Sequence, residues 1–544
     1  GGVPYKFAKN ENLEYVAGKM MKFGIRVDKK AGSGQYQLTL ISESITPWEN
    51  DLVSHDATAK EYVVINSTAG GLKDAIAAAK LDPAKITNLK ITGEINYIDF
   101  GFMRDHMPSL EGLNLKEVKI NVGKDNYFSD DEIPARAFEE TKLMHIVLPD
   151  KLKGIREYAF SNCGYLMGSL VIPEGVEYIS EKAFFCCSGF DGTLTLPSTL
   201  KGIGPSAFYG CSHFTGSLSL PDALEHIYDM AFCYCGGFSG RLDLPSSLKT
   251  IRYAAFSGCS GLTGSLTIPQ KLTEIGGSAF QNCSFDGTLS LPNGITTIGS
   301  YAFARCAFKG ELILPSNIKV IESGAFSKNQ FSGTLHLPSS LTILGGSAFS
   351  DNMQLTGTLE IPDKLTSIKE GAFYGCSKIE GLVLPANLET IYNNAFENCF
   401  GIGSIVCKGA EPAYVKSGAF DGVPKDNFTV EVPESAVAQY QTAVGWNEFK
   451  RIAAHHELVC RPSIACALAT EHKQSLIVDA EGEWEVASKP DWCEVSPASG
   501  NKKTKVTLTI NAMAKNGTSR EGKVVFRLKE EEYTHECRVS QYGY

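Results

Sequence analysis

From residue 136 to about 450, apolar and polar positions alternate in a unit that returns every 22–24 residues. The pair Ala-Phe marks each return. Its phenylalanines are Phe138, Phe160, Phe184, Phe208, Phe232, Phe256, Phe280, Phe303, Phe326, Phe349, Phe373, Phe396 and Phe420. Thirteen copies are beyond chance and read as a solenoid, in which each unit buries its apolar side against its neighbours.

One unit shows the logic. Leu194 and Leu196 alternate with Thr193 and Thr195, the period of two that marks a strand with one buried face. Pro197 cannot donate to a ladder and closes the strand. Leu200 and Ile203 then return inward, and Ala207-Phe208 packs the far side of the coil. Shorter units lose a residue in one loop only: Phe285, Phe308 and Phe331 follow their Cys or Asn by two residues, where Phe190, Phe214 and Phe238 follow by three. The expected architecture is a right-handed, curved stack of parallel strands, one per coil, with an irregular or short helical outer face. At ~4.8 Å per coil, thirteen coils extend roughly 60 Å.

Cysteine falls into the same register. Cys163, Cys187, Cys211, Cys235, Cys259, Cys283, Cys306, Cys376 and Cys399 each stand three residues after the repeat phenylalanine, and Asn329 and Asn352 fill that slot in two units. A small buried side chain at a tight turn fits this position, with the thiol acting as a compact apolar group. Metal binding fits poorly, because no Cys-x-x-Cys pair exists and one ligand per coil makes a line rather than a tetrahedron. Most of the sixteen cysteines are therefore expected to be buried thiols.

The pattern Leu-x-[Leu/Ile]-Pro-x-x-Leu-x-x-Ile-x-x-x-Ala-Phe-x-x-Cys resembles the BspA-type (Treponema-type) leucine-rich repeats of bacterial surface proteins. Thr429 to Pro433, with Tyr440 and Trp446, resembles that family's closing unit. The resemblance implies an α/β-type leucine-rich-repeat solenoid over 136–454, export to the bacterial surface and a binding role. It brings no catalytic residues with it.

The two ends differ from the middle. Residues 59–135 read as an N-terminal cap of irregular coils: a strand at Tyr62 to Ile65, a helix from Leu72 to Lys80 ended by Asp82-Pro83, and strands at Ile86 to Gly93 and Leu110 to Leu115. Residues 1–58 hold a hairpin candidate, Lys22 to Val27 with Tyr36 to Ser42. From residue 455 the repeat stops and short alternating strands follow, at Ser475 to Val478, Glu483 to Val486, Lys505 to Ile510, Lys523 to Leu528 and Glu536 to Val539. Ninety residues of such strands fit an all-β Ig-like sandwich. The run Trp484-Glu485-Val486, Pro490 to Pro497, Ser499-Gly500, Arg520-Glu521-Gly522 and Ser540 to Gly543 resembles the BACON domain, which implies an exported protein and a proposed carbohydrate-binding role. Cys493 departs from that family, which usually has a larger aliphatic residue there.

Composition narrows the function classes. With 51 Lys+Arg against 61 Asp+Glu, the net charge of −10 disfavours nucleic acid as a partner. No apolar run reaches the ~18 residues of a membrane span, and a removed export signal or a lipid anchor upstream of residue 1 stays open. Motifs for zinc proteases, serine hydrolases and nucleotide binding are absent from the sequence, and no cofactor is expected. Asp130, Asp131 and Glu132 read as a solvated loop rather than a calcium site, and His455-His456 as a junction rather than a metal pair.

Binding candidates are departures from a bland row. The first exposed strand position is mostly Ser or Thr (Ser169, Thr193, Ser217, Ser265, Thr288, Thr334, Thr358), interrupted by Arg241 and Glu311. The second holds Asp243, Ile313, His336 and Glu360 among small residues. Trp484 and Trp492 are the candidate sugar platform, with the sandwich core as the plainer place for both. The expectation is a monomeric, non-enzymatic adhesion protein whose solenoid holds a host extracellular protein or glycan. The alternatives are a polysaccharide-utilisation accessory protein acting through the tail, and a structural spacer.

Overall fold

A computed structural model describes residues 62–121, 130–455, 458–461, 464–467, 472–480, 482–512, 519–529 and 534–541, with the backbone of 19–29 and 36–47. The latter two form an antiparallel pair, Lys19–Lys29 with Tyr36–Pro47.

The repeats form a solenoid of parallel pairings. Its outer segments bend because each coil places residues with positive φ two before and two after the repeat phenylalanine, as at Lys182 and Cys186 around Phe184. A right-handed helix cannot continue through such residues, so turns rather than helices cover this side. Backbone bonds still join these turns, each repeat phenylalanine before the last, Phe420, donating its N–H to the alanine carbonyl of the next coil, as Phe184 does to Ala207 at 2.8 Å.

The expected single strand per coil is an undercount. The Leu-x-x-Ile segment also pairs, in one ladder of Glu132–Ile133, Gly154–Ile155, Tyr178–Ile179, Gly202–Ile203, His226–Ile227 and Thr250–Ile251. Two further ladders carry it from Glu274–Ile275 to Tyr414–Val415. A single inward residue, the Ile, gives no alternation to read in the sequence.

The core is a column of rings. The thirteen repeat phenylalanines lie nearly face to face, with centroids 5.1 Å apart at the closest step and 5.7 Å at the widest. Offset stacking of this kind adds to the burial of each ring. Phe190, Phe214 and Phe238 form a second short column set edge-on to the first.

Both ends of the column are closed by aromatic side chains. At the N-terminal end Phe100, 5.6 Å from Phe138, comes from a helix at Tyr97–His106 that the apolar pattern did not predict. Its start is nonetheless written in a capping box, Asn96 with Asp99. Asp99 also accepts from the N–H groups of Gly70 and Leu72, tying this helix to the start of Leu72–Ala78. The cap strands Val63–Ser67, Asn88–Ile95 and Gly112–Asn114 are parallel and continue into His145–Val147 of the first repeat, and Val118–Ile120 also pairs with Asn88–Ile95. At the other end, buried Trp446 meets Phe420 at 5.6 Å and donates to the Ala413 carbonyl at 2.9 Å. Tyr440 donates to the Gly409 carbonyl at 3.1 Å.

The solenoid core ends at Ile452, and a separate core starts at Leu458. The second core lies between two sheets. One holds Leu458–Arg461, His472–Ala480, Thr504–Ile510 and Cys493–Ser496; the other holds Ile464–Ala467, Thr534–Gln541, Arg520–Leu528, Glu483–Ser488 and Ser499–Asn501. Each expected strand of the tail is present and longer at one or both ends.

Candidate binding face

The ladder thiols come first, because they decide which repeated residues belong to the fold. Each sulfur donates to the carbonyl of the preceding coil's repeat phenylalanine: Cys187 to Phe160 at 3.0 Å, Cys211 to Phe184 at 3.1 Å, Cys399 to Phe373 at 3.2 Å. Asn329 and Asn352 place a side-chain amide on the equivalent carbonyls, of Phe303 at 2.8 Å and Phe326 at 2.9 Å. The slot therefore selects a small donor, not merely a compact apolar group as the sequence reading had it. Burial pushes these thiols up, Cys163 to about 11 and Cys306 to about 12. That leaves them neutral and poorly nucleophilic.

On the exposed strand positions, Leu312, Leu335 and Leu359 point inward and are buried. Ile313, His336 and Glu360 therefore point outward from three successive coils, and Glu311 precedes Ile313 on the same segment. Ile313 is 71% exposed, an isolated branched aliphatic side chain standing in water. Continuing the row, Val383 faces Glu360 across a strand pair and Val406 faces Val383. These two valines extend the apolar character of the row and were missed in the sequence because valine in a strand carries no surprise. Arg241 and Asp243 lie three coils away from Ile313 and pair with each other at 2.7 Å. The structure thus brings together Glu311, Ile313, His336 and Glu360, and leaves Arg241 with Asp243 as a separate ion pair.

The strands on this face pair unevenly. Bonds join Leu170–Val171 to Leu194–Thr195 and Leu266–Thr267 to Leu289–Ser290, and a continuous sheet runs from Thr358–Glu360 to Ile452–Ala454. His336 lies on the coil next to that sheet and Ile313 one coil further on; neither residue is itself in a strand, although Gly333–Thr334, just before His336, pairs with Leu355–Thr356.

Trp484 does not form a platform. It is fully buried, set edge-on to Phe526 at 5.5 Å, and offers no face to a sugar. Gly500 permits this packing, since a Cβ there would lie 2.6 Å from the indole. Trp492 is half-buried, with the Arg520 guanidinium 4.5 Å from its centroid. Asp131 pairs with Lys153 at 3.4 Å and Glu132 with Arg156 at 2.6 Å, so these carboxylates serve the N-terminal coils. His455 meets Glu431 at 2.6 Å, while His456 and Glu457 lie outside the described residues. Among the described residues no cluster of three or more His, Cys, Asp or Glu could hold a metal ion, and no helix is long and apolar enough to cross a membrane.

One cleft escaped the sequence reading. It has a volume of about 620 Å³ at the C-terminal end of the solenoid, between the last coils and the closing segment. Tyr414, Lys416, Asp421, Lys425, Val444 and Glu448 line it. Lys416 lies 5.1 Å from the Tyr414 ring centroid, and Lys425 pairs with Glu448.

Two family models match the chain. The model of the BspA type Leucine rich repeat region matches in six copies over residues 131–263, 239–356 and 351–430, more than half of the chain. The model named BACON, described as a putative binding domain, N-terminal, matches residues 482–541. Among solved structures, a leucine-rich repeat protein from Bacteroides ovatus is 24% identical with a TM-score of 0.46, over 62% of this chain and 90% of that one. A leucine rich cell surface protein from Faecalibacterium prausnitzii is 22% identical with a TM-score of 0.33, over 56% of this chain and 84% of that one. No curated protein matches the chain.

Proposed function

The chain belongs to the BspA-type leucine-rich repeat family and carries a BACON domain, and from that premise we propose that it is a non-enzymatic, exported surface protein that holds a macromolecular partner on the outward strand row around Ile313, His336 and Glu360. The observation that carries this reading is Ile313, 71% exposed on the outward strand row, with His336 and Glu360 following it on the next two coils. An apolar centre beside an imidazole and two carboxylates is the pattern of an interface core with a polar rim. The partner class that fits is a host extracellular protein or a glycan, met by a single copy of the chain. In this reading residues 59–135 cap the solenoid, 136–454 do the holding, and 455–544 form a separate module at its end. Residues 1–58 carry no assigned part.

Binding of the full chain to immobilised extracellular matrix proteins and to a glycan array tests it. The triple variant Ile313→Ala, His336→Ala, Glu360→Ala should weaken binding at least ten-fold, while Ser217→Ala should not. Binding that survives the triple change but is lost on deletion of residues 455–544 would move the site to the tail and favour carbohydrate. Turnover of any glycan or peptide would overturn the non-enzyme reading.

A further inference from the structure

Two thiols in the sandwich stand in a relation that no ladder thiol shares. Cys460 lies on Leu458–Arg461 in one sheet, and Cys537 on Thr534–Gln541 in the other. Both are buried in the same core, the two strands that carry them pack directly on each other, and the two side chains meet there in a hydrogen bond. In the solenoid each ladder sulfur is instead occupied by a carbonyl, as Cys235 is by Phe208 at 2.9 Å and Cys259 by Phe232 at 3.1 Å.

We propose that Cys460 and Cys537 are a modification site: on contact with an external disulfide, from a thiol–disulfide oxidoreductase or a small molecule, they close into one cross-sheet disulfide. The thiolate of Cys537 attacks the external disulfide, forms a mixed disulfide and releases one thiol. The thiolate of Cys460 then attacks the Cys537 sulfur, forms the protein bridge and releases the second thiol. Two protein thiols lose two electrons and two protons, and one external disulfide is reduced to two thiols. In the folded core, contact between the pair holds the Cys537 thiol below its ordinary value and raises Cys460; in the open domain that contact is gone, and the same balance holds with Cys460 attacking first. Because both sulfurs are buried, exchange belongs to the domain while it folds or opens. The bridge would tie the first strand of one sheet to a central strand of the other and enclose almost the whole module. The export reading enters only as the place where the oxidant is met, and the chemistry stands without it.

The test takes the reduced full chain through unfolding and refolding in mixed oxidised and reduced glutathione, then maps peptides by mass spectrometry. The expected product has one bridge, between the peptides of Cys460 and Cys537, with the ladder thiols alkylatable once the chain is unfolded. The half-exposed Cys186 serves as the control for simple mixed-disulfide formation. Reduction should lower the folded-to-unfolded ratio of the sandwich by roughly 30- to 1,000-fold. Cys493→Ser should leave the bridge intact and Cys460→Ser should abolish it. A bridge through Cys493, or Cys460 and Cys537 both recovered as thiols, would overturn the proposal. None of these readings involves a ligand, so they fail or succeed independently of the binding face.

Discussion

The solenoid and the sandwich bury similar side chains under different rules. In the solenoid the neighbours of a core residue are copies of itself: Phe256 lies between Phe232 and Phe280, at 5.5 and 5.4 Å. In the sandwich every position is unique, and Trp484 meets Phe526, not another tryptophan. Recurrence in the first region labels what the fold needs, so residues that break the recurrence become visible as surface. The second region offers no such subtraction. That is why Ile313 could be singled out from sequence, while for Trp484 a sugar platform and the sandwich core, the plainer place, both stayed open until its burial decided for the core.

The two regions should separate most widely at high pH. Folded thiols raised above the ordinary 9.0, Cys163 to about 11 and Cys306 and Cys399 to about 12, are neutral in the fold and ionise first in the unfolded chain. Their contribution is complete below pH 9 and is lost as pH rises from 9 toward 11–12. Each tenfold change in ionisation constant corresponds to about 1.4 kcal/mol per thiol, and the ladder holds nine of them. Circular dichroism against pH should show the solenoid melting over this window, and a solenoid signal unchanged to pH 11 would contradict the buried-thiol account.

Core truncation should divide the regions next. Phe256→Ala should cost about 3–5 kcal/mol in the solenoid transition of a denaturant titration and leave the sandwich transition in place. Phe526→Ala should do the reverse. A single transition displaced by both would show that the two cores fold as one.

Strand phase gives a smaller contrast. Leu218→Ala should cost about 2–5 kcal/mol, whereas Ser217→Ala, one residue away on the exposed side, should stay within about 0.5 kcal/mol. Equal losses would mean the face is inverted.

The smallest effect concerns the donor slot. Cys259→Ala removes the bond to the Phe232 carbonyl and should cost about 1–2 kcal/mol. Cys259→Asn keeps a donor, as Asn352 does on Phe326, and should cost less. An asparagine worse than alanine would refute the donor requirement.

Legibility followed the same divide. The period, the inward leucines and the phenylalanine column were readable because each was written thirteen times. The donor role of the cysteine slot was also written, in the substitution by asparagine rather than alanine, but burial was the simpler reading of a leucine-rich coil. The helix Tyr97–His106 hid because its apolar residues, Phe100 and Met103 among them, make only a narrow buried stripe. The Leu-x-x-Ile ladder hid because two paired residues per coil leave no period to detect. Of the binding candidates, four fell together on one face, and the Arg241–Asp243 pair stood apart because sequence spacing gives the coil but not the partner of a charge.

Hydrogen–deuterium exchange on the full chain, with and without a bound matrix protein or glycan, tests the binding face most directly. The account expects protection on binding to concentrate in residues 311–361, with the sandwich unchanged. Protection confined to residues 482–541 would contradict it.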